Sequence, residues 1–175
     1  MKIIFILLAV TMQVYLLDGQ VNHTIHLANC SITAPDTLRY SMEEVKSKLG
    51  KLELHRYRYT DRVQGSQIKY ILQYCDYPAE ALHQDSTELL EEFFEVTAES
   101  SASSVFGNLE YSQTVDLHGY PGMIWRISFD RDKALIKSHA FVKGSRFYNL
   151  SVHYPRDLGY KNAIDIFFNS FKIIE

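Results

Sequence analysis

The sequence predicts an α+β domain in which helices pack on an antiparallel sheet of about six strands. Apolar side chains alternate along several short segments separated by turn residues, and two other segments carry apolar residues at helical spacing. The chain also holds twelve Tyr, ten Phe and one Trp in 175 residues, a composition that favours strands. No repeat or low-complexity linker interrupts residues 20–175, so we expect a single domain there.

The N-terminus has the composition of a secretory signal peptide. Lys2 precedes an apolar run from Ile3 to Leu17, which is shorter than the roughly 20 residues that span a bilayer. We therefore expect residues 1–19 to be a signal peptide and the mature chain to be secreted or periplasmic, without a transmembrane segment. An uncleaved anchor is the alternative. The segment LANC is similar to a lipid-attachment site, but Asn29 stands where a small residue is needed, so lipid anchoring at Cys30 is disfavoured.

Cys30 and Cys75 are the two cysteines of the chain, and an even count in an exported protein allows a disulfide between them. The enclosed loop of about 45 residues would contribute roughly 4 kcal/mol in the chain-entropy model. The alternative is two buried free thiols, because the sequence does not show whether the Cα atoms come within about 7 Å of each other. Both interpretations remain open from the sequence.

The first half of the domain is predicted to begin with strands. The segment CSITAP is typical of a short strand that ends at Pro35, and SMEEVKSKLG predicts a helical turn with a capping box from Ser41 to Glu44. KLELHRYRYT predicts a strand that has either a bulge or two partly covered faces, because its apolar positions change phase. SQIKYILQYC predicts its hairpin partner, with four apolar residues on one face: Ile68, Tyr70, Leu72 and Tyr74.

The middle of the chain predicts an amphipathic helix over residues 86–103. Its apolar positions recur at helical spacing, while its glutamates mostly lie on the other side, as expected of a solvated face. Four strands joined by short turns then form a meander, and the C-terminal segment predicts a second helix. The apolar positions expected on one face of each element are Leu89, Leu90, Phe93, Phe94 and Thr97; Leu109, Tyr111, Val115 and Leu117; Met123, Trp125, Ile127 and Phe129; Ala134, Ile136, Ala140 and Val142; Tyr148, Leu150, Val152 and Tyr154; and Ala163, Ile164, Phe167, Phe168, Phe171 and Ile174.

The segment HGYPGMIW, residues 118–125, is the most motif-like stretch of the chain. A phosphate-binding loop would lead into a helix, whereas here a strand follows. We interpret the segment as a turn in which Gly119 and Gly122 take positive φ and Pro121 fixes the backbone. Gly144 marks a second turn, in KGSR.

No motif in the sequence predicts catalysis or a cofactor. His23 and His26 lie close together but no third ligand has zinc spacing, and we expect a flexible N-terminus there. The standard nucleotide-binding, hydrolase and metalloprotease motifs do not occur. A net charge of -3 without a long basic run disfavours nucleic acid as a partner.

An ordered set of segments resembles the small exported bacterial proteins of the PsbP-like group, whose fold is the Mog/PsbP α/β/α sandwich. The segments are ITAPD, LELHRYRY, YILQYCDYP, LHGYPGMIWRI, HAFVKGSRFYNLSV and IDIFFNSFKI, and together they cover most of residues 31–174. The pair of cysteines and the segment SMEEV depart from the pattern. The resemblance implies a non-catalytic binding or accessory role: photosynthetic members assist the water-oxidising complex, and nuclear members bind a small GTPase. The matching residues are turn formers and core packers, so the resemblance implies no catalytic site.

These observations lead to three hypotheses about function. The first is a secreted or periplasmic, non-enzymatic domain that binds a protein or a small apolar ligand through its sheet face or loops. The second is a carrier with a cavity between the sheet and the long helix, in which Tyr57, Tyr59, Tyr70 and Tyr111 are candidate lining residues. Ordinary sheet packing would equally place tyrosines at these positions. The third is a hydrolase or transferase with an unrecognised site, for which His118 and Asp116 are the residues to mutate first.

Overall fold

The computed structural model describes residues 23–27, 29–63, 65–117, 119–158 and 162–174. The predicted signal peptide at residues 1–19 and the candidate His118 lie outside these ranges. Strands make up 59% of the structure and helices 20%. The strands are β1 His23–Leu27, β2 Cys30–Ala34, β3 Arg39–Ser47, β4 Gly50–Val63, β5 Ser66–Asp76, β6 Asn108–Leu117, β7 Tyr120–Phe129, β8 Ala134–Lys143, β9 Arg146–Pro155 and β10 Lys172–Ile173. The α-helices are α1 Thr87–Ser104 and α2 Asn162–Asn169, and a short 3-10 helix spans Arg156–Leu158.

The strands form two antiparallel sheets. The large sheet has seven strands in the order β3-β4-β5-β9-β8-β7-β6, and the small sheet has three in the order β1-β2-β10. Two hairpin ladders therefore meet at the β5–β9 pair, in which Tyr70 lies opposite Val152 and Leu72 opposite Leu150. This pair brings together two halves of the chain that are distant in sequence.

The predicted fold class was wrong. We expected an α+β domain with helices packed on about six strands, whereas the described residues form a mostly β structure with seven-stranded and three-stranded sheets and two α-helices. Three segments account for the difference. The predicted helical turn at Ser41 is strand β3, the predicted flexible segment at His26 is strand β1, and the predicted C-terminal helix is shorter and is followed by β10.

Long-range pairing explains these errors. β3 pairs with β4 over its whole length, from Arg39 opposite Arg58 to Ser47 opposite Gly50, and this pairing overrides the local capping signal. β10 pairs with β2, with Lys172 opposite Ser31, although the two strands lie at opposite ends of the described chain. A prediction from local sequence cannot take account of these pairing partners.

Each face of the large sheet has its own core. The small-sheet face is covered by the small sheet and α2, with Tyr70 packing edge-on against Phe167 at 5.3 Å between ring centroids. The helix face is covered by α1, which places Leu90, Phe94 and Ala98 over β7, β8 and the start of β9. The core residues that the sheet contributes are Ile68, Tyr70, Leu72, Phe141, Tyr148, Leu150 and Val152 on the small-sheet face and Met123, Trp125, Ile127, Ile136, Ala140, Val142 and Phe147 on the helix face.

Most of the predicted alternation is confirmed. The long helix, expected over residues 86–103, spans Thr87–Ser104, and the predicted apolar faces of β5, β7, β8 and β9 each lie on one side of the sheet. β6 differs because its register shifts between Leu109 and Tyr111, which puts these two side chains on opposite faces. β4 has two partly covered faces, one of the two alternatives that its sequence left open.

Cys30 and Cys75 are both buried free thiols, so the predicted disulfide is not present. Cys30 belongs to the core of the small-sheet face. Cys75 lies opposite Phe147, whose side chain belongs to the core of the helix face. Because side chains alternate along a strand, the large sheet separates the two sulfur atoms.

The predicted turn glycines have two different roles. Gly119 has a φ of +83°, and its amide donates a hydrogen bond of 2.6 Å to the Asp116 carboxylate. Gly144 also has a positive φ, of +59°. Gly122 lies inside β7 without a positive φ, and the prediction there was wrong: a Cβ on it would come within 2.5 Å of the Ala140 carbonyl oxygen. Pro121 is also a strand residue, opposite Asp116.

Candidate functional site

The helix face of the large sheet is covered over only part of its width. α1 contacts β6 and β7, and its C-terminal residues Ser101 and Ser104 mark the border of the covered half. Beyond this border, the side chains of β4, β5 and β9 line two adjoining cavities of about 330 Å³ and 950 Å³. We call this continuous depression the polar groove. It is lined in its inner part by Arg56, Arg58, Ile71, Gln73, Ser101, Ser104, Val105, Ile136, Ser138, Asn149, Ser151 and His153, and in its outer part by Asp36, Thr37, Arg39, Tyr59, Thr60, Arg62, Gln67 and Lys69, with Arg58, Ile71 and His153 shared.

The floor of the polar groove consists of buried polar residues. Ser138, Asn149 and Ser151 are only 2%, 6% and 6% exposed. Ser138 of β8 lies opposite Ser151 of β9, and Asn149 lies opposite Gln73 of β5. Within the described ranges, three buried side-chain atoms have no hydrogen-bond partner: Asn149 Oδ1 in this floor, and Tyr70 Oη and Trp125 Nε1 in the two apolar cores. A buried acceptor without a donor costs about 1–3 kcal/mol, so this floor is poorly suited to stabilising the fold.

The rim of the polar groove is cationic. Arg39, Arg58, Arg62 and Lys69 have exposed side chains that alternate onto the helix face of β3, β4 and β5. No ion pair joins any of these four side chains to a described carboxylate. Arg56 is compensated, because its guanidinium lies 3.7 Å from Glu43. Asp36 is the one carboxylate among the described lining residues. The rim therefore concentrates positive charge in a chain whose net charge is -3.

His153 lies where the inner and outer parts of the polar groove meet. Burial, with a further contribution from the Lys69 ammonium, lowers the pKa of its imidazole to about 4. Its ring also packs edge-on against Phe129, with 6.4 Å between centroids. The imidazole is consequently neutral at pH 7 and adds a hydrogen-bonding group, not a charge, to the groove.

The chemistry of the polar groove comes from its cations and its buried hydrogen-bonding groups. None of the serines on the described floor hydrogen-bonds to His153. No group of three or more metal-ligating side chains occurs within the described ranges. The cations and buried hydrogen-bonding groups instead provide what an anionic, hydroxylated ligand requires.

The structure does not bring the four candidate tyrosines together. Tyr57, Tyr59 and Tyr70 share one face, but it is the small-sheet face, opposite α1. Tyr70 is fully buried, and its ring stacks at 6.2 Å from that of Tyr59. Tyr111 lies on the edge strand β6 beneath the Arg126 guanidinium, 5.1 Å from its carbon atom. These tyrosines therefore do not line a cavity between the sheet and α1. Of the four, only Tyr59 borders the polar groove.

One part of the polar groove, its row of arginines, can be recognised in the sequence. The segment HRYRYTDR, residues 55–62, places Arg56, Arg58 and Arg62 at even spacings, so a strand must direct all three to one face. A search for long basic runs misses this pattern because tyrosines separate the cations. The floor residues Asn149 and Ser151 had no such signal, because their role depends on β9 lying beside β5.

A second depression lies on the outer side of α1. It is shallow, measures about 550 Å³, and has an apolar lining that includes Leu89, Phe93 and Val96. Leu89 and Val96 are exposed, and the neighbouring carboxylate is that of Glu92. The outer groove shares Ser101 and Ser104 with the polar groove, but Leu89, Phe93 and Val96 line only the outer groove, so variants at these residues can separate the two experimentally.

Comparisons with known proteins identify a structure with a similar fold. No family model matches the chain, and no curated protein matches it. Among solved structures, the solution structure of cyanobacterial PsbP (CyanoP) from Synechocystis sp. PCC 6803 is similar, with a TM-score of 0.54 and 11% sequence identity over 88% of this chain and 93% of that chain. The chain thus has a PsbP-like fold, as its sequence segments suggested. Across the described ranges, neither helix is long and apolar enough to cross a membrane.

Proposed function

We propose that the chain is an exported, non-catalytic binding protein whose polar groove holds an anionic ligand. The observation that carries the proposal is the combination of a buried polar floor, including the unpartnered Asn149 Oδ1, with the cationic rim of Arg39, Arg58, Arg62 and Lys69. Neither feature stabilises the fold, since like charges repel and unpaired buried acceptors cost free energy. An anion with hydrogen-bonding groups would compensate both.

The proposal shifts the expected ligand from apolar to anionic. Where α1 covers the sheet, Phe94, Trp125 and Phe147 pack in one core cluster. The apolar alternatives, a lipid or a partner protein, are left with the shallow outer groove of α1. Export remains supported by the signal-like composition of residues 1–19. The PsbP-like fold is compatible with an accessory role, although a fold does not determine a function.

A thermal shift panel tests the proposal. The probes are phosphate, tripolyphosphate, citrate, a heparin-derived hexasaccharide, neutral maltohexaose and a fatty acid. We expect saturable stabilisation by one or more of the anions, of about 2.7 kcal/mol at a concentration of 100 Kd. The double variant Arg58→Gln/Lys69→Gln should lose this stabilisation. The matched control Lys46→Gln/Arg131→Gln removes the same charges from exposed sites outside the groove and should keep it.

Two results would contradict the proposal. Stabilisation by the fatty acid alone would favour the apolar carrier and the outer groove of α1. Equal loss of anion stabilisation in the rim and control variants would show that net charge, and not the groove, determines binding.

A further inference from the structure

The cationic side chains and the buried hydrogen-bonding side chains lie in different parts of the polar groove. This arrangement restricts the chemical class of ligand that can fill the whole groove. The following inference rests on the proposed function. The floor residues Ser138, Asn149 and Ser151 line only the inner part, whereas Arg39, Arg62 and Lys69 line only the outer part. A ligand that fills both parts must therefore combine anionic groups with uncharged polar groups.

The length of the rim favours a ligand with several anionic groups. Along β4 the rim residues Arg58 and Arg62 are four positions apart, which corresponds to about 14 Å at a rise of roughly 3.4 Å per residue. Arg39 and Lys69 flank this row on the neighbouring strands. A single phosphate or a small dicarboxylate cannot reach cations spread over this distance. A chain of repeating anionic units can.

The chemistry of the floor favours hydroxyl groups. The buried Asn149 Oδ1 requires a hydrogen-bond donor, and sulfate and carboxylate groups at neutral pH only accept. A hydroxyl both donates and accepts, so it matches Asn149, Gln73 and the serine hydroxyls together. Inorganic polyanions would satisfy the rim and leave the Asn149 Oδ1 acceptor unpaired.

Nucleic acid matches this site less well than a carbohydrate does. Proteins bind single strands through aromatic side chains that stack on the bases as well as through cations. The described lining of the inner part contains no Phe, Tyr or Trp, and its one ring is the His153 imidazole, which already packs against Phe129. The inner part therefore offers hydrogen-bonding groups where bases would need stacking surfaces.

We infer that the polar groove binds a segment of an anionic polysaccharide, with sugar hydroxyls on the Ser138, Asn149 and Ser151 floor and sulfate or carboxylate groups on the arginine and lysine rim. The floor provides selection for a sugar over other polyanions, and the rim provides most of the affinity. Binding should therefore weaken as salt concentration rises, in proportion to the number of anionic groups engaged.

Isothermal titration calorimetry of the full mature chain tests this inference. The probes are a heparin-derived hexasaccharide, a galacturonate hexasaccharide, tripolyphosphate and hexathymidylate, all at the same ionic strength. We expect one of the two hexasaccharides to bind most tightly, and its identity distinguishes sulfate from carboxylate as the anionic group. Ser151→Ala should weaken hexasaccharide binding about 5–10-fold by removing one hydrogen bond, and should leave tripolyphosphate binding unchanged. Arg58→Gln should weaken both.

Each other outcome overturns a defined part of the account. If Arg58→Gln weakens all anions while Ser151→Ala and Asn149→Val leave hexasaccharide binding unchanged, the groove binds anions but does not select carbohydrate. If hexathymidylate binds most tightly and is weakened by the floor variants, the ligand is a nucleic acid. If no anion binds, the proposed function fails as well. Thermal unfolding of each variant separates these results from loss of the fold.

Discussion

The helix face of the large sheet has two halves that share the same strands but differ in chemistry. One cross-strand row runs through both halves, from Arg58 on β4 through Ile71, Ser151 and Ser138 to Trp125 on β7. Under α1 the row ends in a fully buried tryptophan, and beyond α1 it ends in an exposed arginine. Ser138 and Ser151 lie between them, buried and polar.

The difference shows which residues stabilise the fold and which are available for a ligand. In the covered half, apolar side chains are removed from water by α1, and this burial drives folding. In the open half, the buried side chains of Ser138, Asn149 and Ser151 are polar and cations lie close together, so less apolar surface is buried there. Sites that bind ligands are commonly less stable than the scaffold around them.

The largest effect is expected in the covered half. Ile127→Ala removes a fully buried side chain from the core beneath α1 and should lower the free energy of unfolding by about 2–5 kcal/mol. Ser151→Ala in the open half should change it by less than about 1 kcal/mol, because one hydroxyl is lost from a site that makes no described hydrogen bond. Urea denaturation followed by circular dichroism measures both. Equal losses would show that the open half also stabilises the fold.

The junction between α1 and β6 is the next most sensitive point. A Cβ on Gly107 would come within 2.6 Å of the Ser128 carbonyl oxygen and 2.8 Å of Ile127 Cγ2. Gly107→Ala should therefore shift α1 away from the covered half, at a cost of about 1–3 kcal/mol. Urea denaturation measures this loss of stability. Gly65→Ala is not a suitable control, because the φ of +81° at Gly65 would add backbone strain to an alanine. Unchanged stability would mean that α1 does not need this close approach.

Acid should destabilise the protein partly through the open half. The folded-state pKa of His153 is about 4, below the ordinary value of 6.5, because of burial and Lys69, and burial lowers the pKa of His139 on the other face in the same way. The unfolded chain therefore takes up protons that the folded chain does not, and stability falls as pH drops from about 6.5 to about 4. We expect on the order of 1–2 kcal/mol per histidine, since both side chains are partly exposed. His153→Phe should flatten the stability profile between pH 7 and pH 4, and an unchanged slope would contradict this explanation.

Making the open half resemble the covered half should stabilise it and abolish its function. Asn149→Val replaces a buried, unpartnered carboxamide with a β-branched apolar side chain and should raise the free energy of unfolding by about 1 kcal/mol. The same variant should bind the stabilising anion more weakly. If Asn149→Val lowers stability instead, the carboxamide has a structural role and the floor is not reserved for a ligand.

Sequence patterns predicted the elements whose signal is local. The alternation of Met123, Trp125 and Ile127 placed β7 correctly, and the helical spacing of Leu90 and Phe94 placed α1. The pattern also placed Tyr57, Tyr59 and Tyr70 on one face, but it did not show which face α1 covers. β3, β1 and β10 were missed because their conformation depends on partners elsewhere in the chain.

Apart from the even spacing of its arginines, the polar groove could not be predicted from the sequence, for the same physical reason. Arg58, Ile71 and Ser151 come from three segments that become neighbours only when β5 pairs with β4 and β9. Asn149 occurs in an apolar strand between Tyr148 and Leu150, where alternation alone gives no sign that its face is uncovered. How far α1 extends over the sheet determines whether this face is covered, and that extent depends on tertiary packing.

Chemical shift mapping tests the central claim most directly. Amide ¹H–¹⁵N spectra of residues 20–175 are recorded during titration with the anion that gives the largest thermal stabilisation. The account predicts saturable shifts centred on Arg58, Ile71 and Ser151, which Arg58→Gln reduces. Shifts centred instead on Leu89 and Val96, in the outer groove of α1, would contradict the assignment of the polar groove as the binding site.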